Sequence, residues 1–337
     1  MKNSRKILIG SVLAAVIVCA GSSIGSSNIR IYDTLRIIIE KILPISLTEG
    51  IEPRDVSIVW LLRLPRVLLA FIVGGSLAMS GAVIQSVLKN HLATPYILGV
   101  SSGATLGSAL IMLTGFAIPL VGGLTMPVAG FLFGLLTVYI VVSFSSKLDK
   151  TMSNNTIILF GMVFTLFISA LLTTLMALYR EELKSLITWQ MGSFALKGWS
   201  YVRVMLPFFI IGTLGIIRYT KEMDILTFGE DQAKSVGVET EKVRKHLFVF
   251  STILTGAAVS LSGTIGFVDL IAPHMARKIV GSNHRYVIPM SFILGGSLMV
   301  VADLIARTIV SPSELPVGAI TALVGAPFFA WVYFGKR

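Results

Sequence analysis

The chain has 337 residues, 54% hydrophobic and 13% charged, with a mean hydropathy of +0.85 and a formal net charge of +11. Soluble domains carry about 25% charged residues, and half that fraction leaves too little polar surface to face water, which excludes a soluble architecture. The positive charge would suggest nucleic acid in a soluble protein; here Lys and Arg sit in short loops between apolar runs, as loops held against anionic lipid do, and no nucleic-acid partner is expected.

The chain opens on Lys2, Arg5 and Lys6, followed by an apolar run over 7–24. This resembles a signal peptide, but the run is long and no small-residue cleavage site closes it, so a retained first helix is expected. A span needs roughly 20 apolar residues, fewer where neighbours cover its ends. Ten are expected, over 7–25, 64–88, 95–114, 118–145, 155–178, 202–218, 247–263, 266–280, 287–308 and 317–334. The apolar runs are long and continuous, unlike the short alternating segments of a barrel. The fold class expected is therefore all-α, with residues 1–337 forming a single transmembrane domain.

Three stretches between the spans look soluble. Residues 26–63 carry mixed charges with Pro44 and Pro53. Residues 180–200 hold a short helix around 183–191. Residues 219–246 read as two short surface helices broken at glycine, followed by a basic run through Lys245. With ten spans both termini lie on one side. Placing them in the cytoplasm puts 17 of the 28 Lys and Arg inside and 11 outside, which favours that orientation.

An internal echo runs through the chain. Residues 74–81 read GGSLAMSG and 256–263 read GAAVSLSG, and 92–95 (LATP) is echoed by 270–273 (LIAP). The copies run in opposite directions across the membrane, the pattern of an inverted repeat. Small residues cluster on the same segments, among them Ser80, Gly81, Gly99 and Ser102. They allow close helix packing or, alternatively, line a pathway for a bulky solute.

Charge within the spans is scarce and so informative. Asp303 and Arg307 lie four apart and share a helix face. Asp269 is expected at the outer start of the eighth span, solvated in a vestibule or paired with an arginine. Cys19 is the single cysteine, so no disulfide or thiolate metal site can form within the chain. His91, His246, His274 and His284 show no metal-binding spacing, there is no phosphate loop, and no catalytic constellation stands out. No cofactor, no metal and no catalysis by this chain are expected. A secondary transporter or channel would need acidic residues along a midplane path, which the sequence does not offer.

Several segments together resemble one family. They are Leu62-Arg-Leu-Pro-Arg66, the run 75–85, 90–99 (NHLATPYILG), Gly229-Glu230 with Ala233 and Gly237, the run 263–277, 302–307 (ADLIAR), 314–318 (ELPVG) and 325–329 (GAPFF). These resemble the FecCD permeases of type II ABC importers, which carry iron–siderophore, haem and cobalamin. The resemblance covers nearly the whole chain and implies the type II importer permease fold. The expected function is translocation of an iron complex, siderophore or haem, across a prokaryotic cytoplasmic membrane by alternating access. Cobalamin, molybdate or another metal chelate is the alternative within the family. It further implies a second permease subunit, identical or paralogous, a cytoplasmic ABC ATPase dimer, and an extracytoplasmic substrate-binding protein. By position, Arg63, Arg66 and Arg307 match the arginines that receive carboxylates of the binding protein. Gly229, Glu230, Ala233 and Gly237 match the loop that couples to the ATPase, with Ala233 small so that it packs against that partner. Two departures stand out: His91 where the family usually has proline, and Asp269 where it usually has glycine.

Overall fold

In the computed structural model, residues 2–25, 27, 29–43, 46–119, 121–149 and 153–334 are described, so Pro44 and Lys150 lie outside the described residues. Fourteen helices follow one another: α1 (Lys2–Ser23), α2 (Ile31–Ile42), α3 (Pro53–Val87), α4 (Val100–Thr114), α5 (Thr125–Leu148), α6 (Asn154–Leu178), α7 (Lys184–Gln190), α8 (Trp199–Arg218), α9 (Thr220–Thr227), α10 (Glu230–Ser235), α11 (Thr240–Ser262), α12 (Val268–Val280), α13 (His284–Thr308) and α14 (Val317–Phe334). The fold is all-α, as expected. Among the described residues, α1, α3, α5, α6, α8, α11 and α13 are long and apolar enough to cross a membrane.

The other three expected spans are shorter: 15 residues in α4, 13 in α12 and 18 in α14. At 1.5 Å per residue, α4 and α12 reach only about 20 Å. Each is preceded by a non-α segment inside the bundle, 93–99 with a 3-10 turn at Pro95–Leu98 before α4, and 263–267 before α12. Irregular backbone survives at membrane depth only where its polar groups find partners. Here the two breaks satisfy each other: Tyr96 Oη donates to Ile265 O at 2.7 Å, and Ser101 Oγ meets Thr264 Oγ1 at 2.7 Å. The segment after α7 closes the rest, with Ser193 N donating to Ser262 O and Val317 N to Gly192 O.

The second span corrects the sequence reading most. The expected span begins at residue 64, a start that would put Pro65 in its first turn. The helix instead starts at Pro53, which occupies the first turn where its missing N–H costs nothing. Pro65 then sits mid-helix, preceded by a π-helical stretch over Ile58–Arg63. The wider turn is how a long helix absorbs a residue without an N–H. Leu64 N bonds back to Val59 O, and Trp60 O faces the ring nitrogen of Pro65 with no donor. The Trp199 indole fills that vacancy, donating to Trp60 O at 2.8 Å with the two rings 5.0 Å apart.

The centre of the molecule is the α3–α13 pair. Gly74 and Gly295 face each other so closely that a Cβ on Gly74 would lie 2.4 Å from Gly295 O. Around this seam the packing is two-fold in pattern: α3 lies on α13 as α11 lies on α5, and α4 pairs with α5 as α12 pairs with α13. The inverted repeat is thus present, although the sequence echo does not mark equivalent places. Gly81 lies inside α3 whereas Gly263 ends α11, and Pro95 precedes α4 whereas Pro273 lies within α12. Helix α1 packs on α13, with Gly21 against Val300 and Gly10 against Ile293.

Candidate functional site

Three sets of residues bear on function, at the two ends of the bundle and at its breaks. At one end, the π turn of α3 and the last turns of α13 bring Arg63, Arg66 and Arg307 together around one cavity. They are not free, however. Arg63 is buried and donates to Ser23 O and, at 2.8 Å, to Ser27 O. Arg307 donates to Gly21 O. Arg66 chelates two carboxylates, Asp303 at 2.8 Å and Glu314 at 2.7 Å. Asp303, expected to orient Arg307, is held mainly by Arg66; its separation from Arg307 is 3.8 Å. The reason is reach: Arg66 projects from the neighbouring helix straight at the carboxylate, whereas Arg307 follows α13 back toward α1.

A cavity of about 890 Å³ opens beside this cluster, lined by Arg54, Arg63, Arg66, Lys197 and Arg307 against Asp55 and Glu314. Lys197 is held in the loop before α8, where it donates to Leu261 O. Burial, reinforced by Arg66, pushes its ammonium down to about 7. The hydrogen bond from Arg66 holds the Glu314 carboxyl below its usual range. Leu61, Leu62 and Leu196 form an apolar rim, and Leu196 is 96% exposed on backbone at φ +57, a conformation rare for a leucine.

At the opposite end, the 219–246 loop folds into α9 and α10, broken at Gly229 (φ +133) and closed after α10 by Gly237 (φ +85). Both glycines sit where a side chain would be strained. Ala233 does not face outward. It is fully buried within the chain's own core with Val243 and Leu247, because α10 has only six residues and turns its one apolar face inward. A large residue there would disturb this chain first, not a partner. What the loop presents outward is Phe228, 76% exposed, and Val236, 67% exposed. Both flank the glycines, a position the sequence shows but small-residue reasoning passed over. Glu230 Oε1 lies 2.6 Å from Arg244 Nη1.

At the breaks, Asp269 is placed differently from expectation. It is neither in a vestibule nor paired with an arginine. It is buried beside Gly81, nearer the loop end of α3 than its middle, and among the described residues no side chain pairs with its carboxylate, which faces only backbone N–H groups at the start of α12. Its own backbone carbonyl accepts from Gln85 Nε2, whose Oε1 accepts from Arg277. The small residues are largely packing: Ser80 bridges to α11 through Ser251 O and Thr255, Gly81 abuts Asp269 O, and Gly99 caps α4 at φ +80. Ser102 keeps partial exposure and donates to Gly99 O. His91 is exposed in the turn after α3. Among the described residues no group of three His, Cys, Asp or Glu is placed to hold a metal ion.

Residues 13–334 match the model of the FecCD transport family. The chain is 40% identical over 334 residues to the uncharacterized ABC transporter permease protein YvrB of Bacillus subtilis (strain 168), covering 98% of this chain and 94% of that one. It is 37% identical to the cobalamin import system permease protein BtuC of Halobacterium salinarum, over 84% of this chain and 75% of that one. It is 35% identical to the hemin transport system permease protein HmuU of Yersinia pestis, over 83% and 84%. A solved structure of an ABC transporter assigned to the metal-chelate type, in an inward-facing conformation, superposes with a TM-score of 0.85 at 30% identity, covering 98% of this chain and 99% of that one.

Proposed function

The chain belongs to the FecCD transport family and is a multi-pass ABC importer permease, and we propose that its cargo is an iron complex, a ferric siderophore or haem, moved by alternating access. The observation that supports this most is the end-to-end superposition on a transporter of metal-chelate type. The hemin relative supports iron; the cobalamin relative makes a corrinoid the competing cargo. Members of the family are not catalytic, and ATP is hydrolysed by a separate subunit. Uptake of labelled ferric siderophores, haem and cobalamin by cells with and without the gene tests the cargo. Loss of uptake confined to one iron complex is expected, and loss confined to cobalamin would overturn the iron reading.

The same proposal orients the chain. The Lys and Arg bias places the loop end and both termini in the cytoplasm. The ATPase dimer then meets the 219–246 loop, through Phe228 and Val236 in a groove of the ATPase surface. The arginine cavity faces outward, toward an extracytoplasmic binding protein, with a second permease subunit alongside in the membrane. A carboxylate from the binding protein would compete with Glu314 for Arg66, and the leucine rim would supply apolar contact. Buried apolar anchors dominate interfaces, at about 2 kcal/mol or more each. Phe228→Asp combined with Val236→Asp, about 4 kcal/mol together, should therefore weaken ATPase binding by nearly a thousandfold, read as loss of co-purification. Both side chains are exposed, so the amount of permease in the membrane should not change. Full retention of the ATPase would remove this loop from the interface.

A further inference from the structure

Besides its apolar packing, the 219–246 loop is tied to the bundle by two polar fastenings, one on each side of Phe228 and Gly229. On α9, Asp224 accepts from the backbone N of His284 at 2.9 Å and from its ring Nδ1 at 2.5 Å. His284 is the first residue of α13 and is buried. On α10, Glu230 pairs with Arg244, whose side chain is 2% exposed. The second arm of Arg244 donates to Asn154 Oδ1 at the start of α6, and Asn154 Nδ2 donates to Leu88 O, the residue that caps α3. Phe228 and Gly229 lie between the two fastenings. Beside these contacts Met223, Leu226 and Ala233 pack into the core, while residues 227, 228, 231, 232 and 234–237 are exposed.

We infer that Asp224–His284 and Glu230–Arg244–Asn154 are two positioning clips through which displacement of this loop is delivered to the membrane helices, the first driving α13 and the second driving α11, α6 and α3. The inference rests on the reading of this loop as the ATPase contact. The geometry is suited to transmission. Both clips are charge-assisted and held by side chains that are themselves buried, so neither can lengthen without losing its hydrogen bonds. A loop joined to the bundle only by its chain ends would flex at Gly229 and Gly237 and dissipate the movement. Each clip also ends on a helix terminus, where a pull acts along or across a stiff rod rather than into a side-chain cluster.

The test uses the complete permease–ATPase complex in nanodiscs and needs no cargo. The Cys19→Ser background removes the one native thiol, and spin labels are placed at Phe116→Cys and Ile309→Cys, both exposed at the arginine end. The readout is the nucleotide-driven change in the distance distribution per ATP hydrolysed. Asp224→Ala and Glu230→Arg should each reduce it about tenfold, the loss of one charge-assisted contact. Asp224→Asn, which still accepts from both His284 donors, should keep most of it; a merely structural role for Asp224 would not discriminate between the two substitutions in this readout while leaving expression equal. A full distance change in Asp224→Ala and in Glu230→Arg, with the ATPase still bound, overturns the clips and leaves the loop reading standing. Retention of the ATPase by the Phe228 and Val236 double variant overturns the loop reading itself.

Discussion

Arg66→Ala should lower the stability of the purified permease by about 3–5 kcal/mol, the usual consequence of removing one member of a buried ion pair. Asp303 has no exposed surface, and among the described residues Arg66 is its nearest cation at 2.8 Å, with Arg307 at 3.8 Å. Truncation leaves a buried carboxylate with its desolvation uncompensated, and frees Glu314 as well. Arg66→Lys should rescue little. A single ammonium cannot address two carboxylates with the fork that Arg66 uses, through Nε and Nη2 on Asp303 and Nη1 and Nη2 on Glu314. Pairing Arg66→Met with Asp303→Leu should recover most of the loss, because apolar replacement of the whole pair removes both the attraction and the buried charge. Thermal unfolding in detergent at fixed pH and salt measures all three. An Arg66→Ala protein as stable as its parent would show that the pair contributes nothing.

The second large effect is expected at the central seam. Gly295→Leu should leave little folded protein in the membrane. A Cβ on Gly295 would lie 2.4 Å from Ala78 Cβ and 2.6 Å from Gly74 O, and one on Gly74 would meet Met299 Cβ at 2.4 Å. Overpacking a core usually costs about 1–3 kcal/mol, when side chains can shift. Here the obstacle is the backbone of the facing helix, so the helices must separate along their length, and the loss should exceed that range. Gly256→Ala is the control. That glycine opens the second copy of the sequence echo as Gly74 opens the first, yet its Cβ would meet only Phe131, at 3.4 Å. It should be neutral or slightly stabilising, since alanine is the better helix former by about 1 kcal/mol. Size-exclusion profiles and melting temperatures of the two variants compare them directly. Similar profiles would mean that the seam tolerates separation.

The contrast between these glycines shows where the sequence was legible. Length and apolarity revealed all ten apolar helices, while the echo between 74–81 and 256–263 pointed to a repeat at positions the fold does not treat as equivalent. They did not reveal where α3 begins. Pro53 and Pro65 are both acceptable first-turn residues, and only the π turn with the Trp199 bond tells which proline starts the helix and which interrupts it. Helix α2 was hidden in a stretch whose mixed charges suggested loop, although Thr34 and Ile37 face inward at helical spacing. At the sites, the motif residues picked out clusters that the fold does assemble, but not the groups that hold them. Arg63, Arg66 and Arg307 do meet, but the carbonyls of Gly21, Ser23 and Ser27 that occupy them carry no signature in a sequence. Asp224 and His284, or Asn154 and Arg244, lie so far apart along the chain that no local spacing could join them.

The glycine seam has a thermodynamic corollary. Helix α13 carries His284 at one end and Asp303 and Arg307 at the other, and at Gly74 and Gly295 it meets α3 backbone to backbone, leaving little room there for a displacement to be absorbed. Two ligands that engage opposite ends of one stiff body cannot be indifferent to each other. If nucleotide at an ATPase partner changes the affinity of the arginine cavity for an acidic partner by some factor, that partner must change the affinity for nucleotide by the same factor. Titrating either one while holding the other saturated would measure a single quantity from two sides of the membrane.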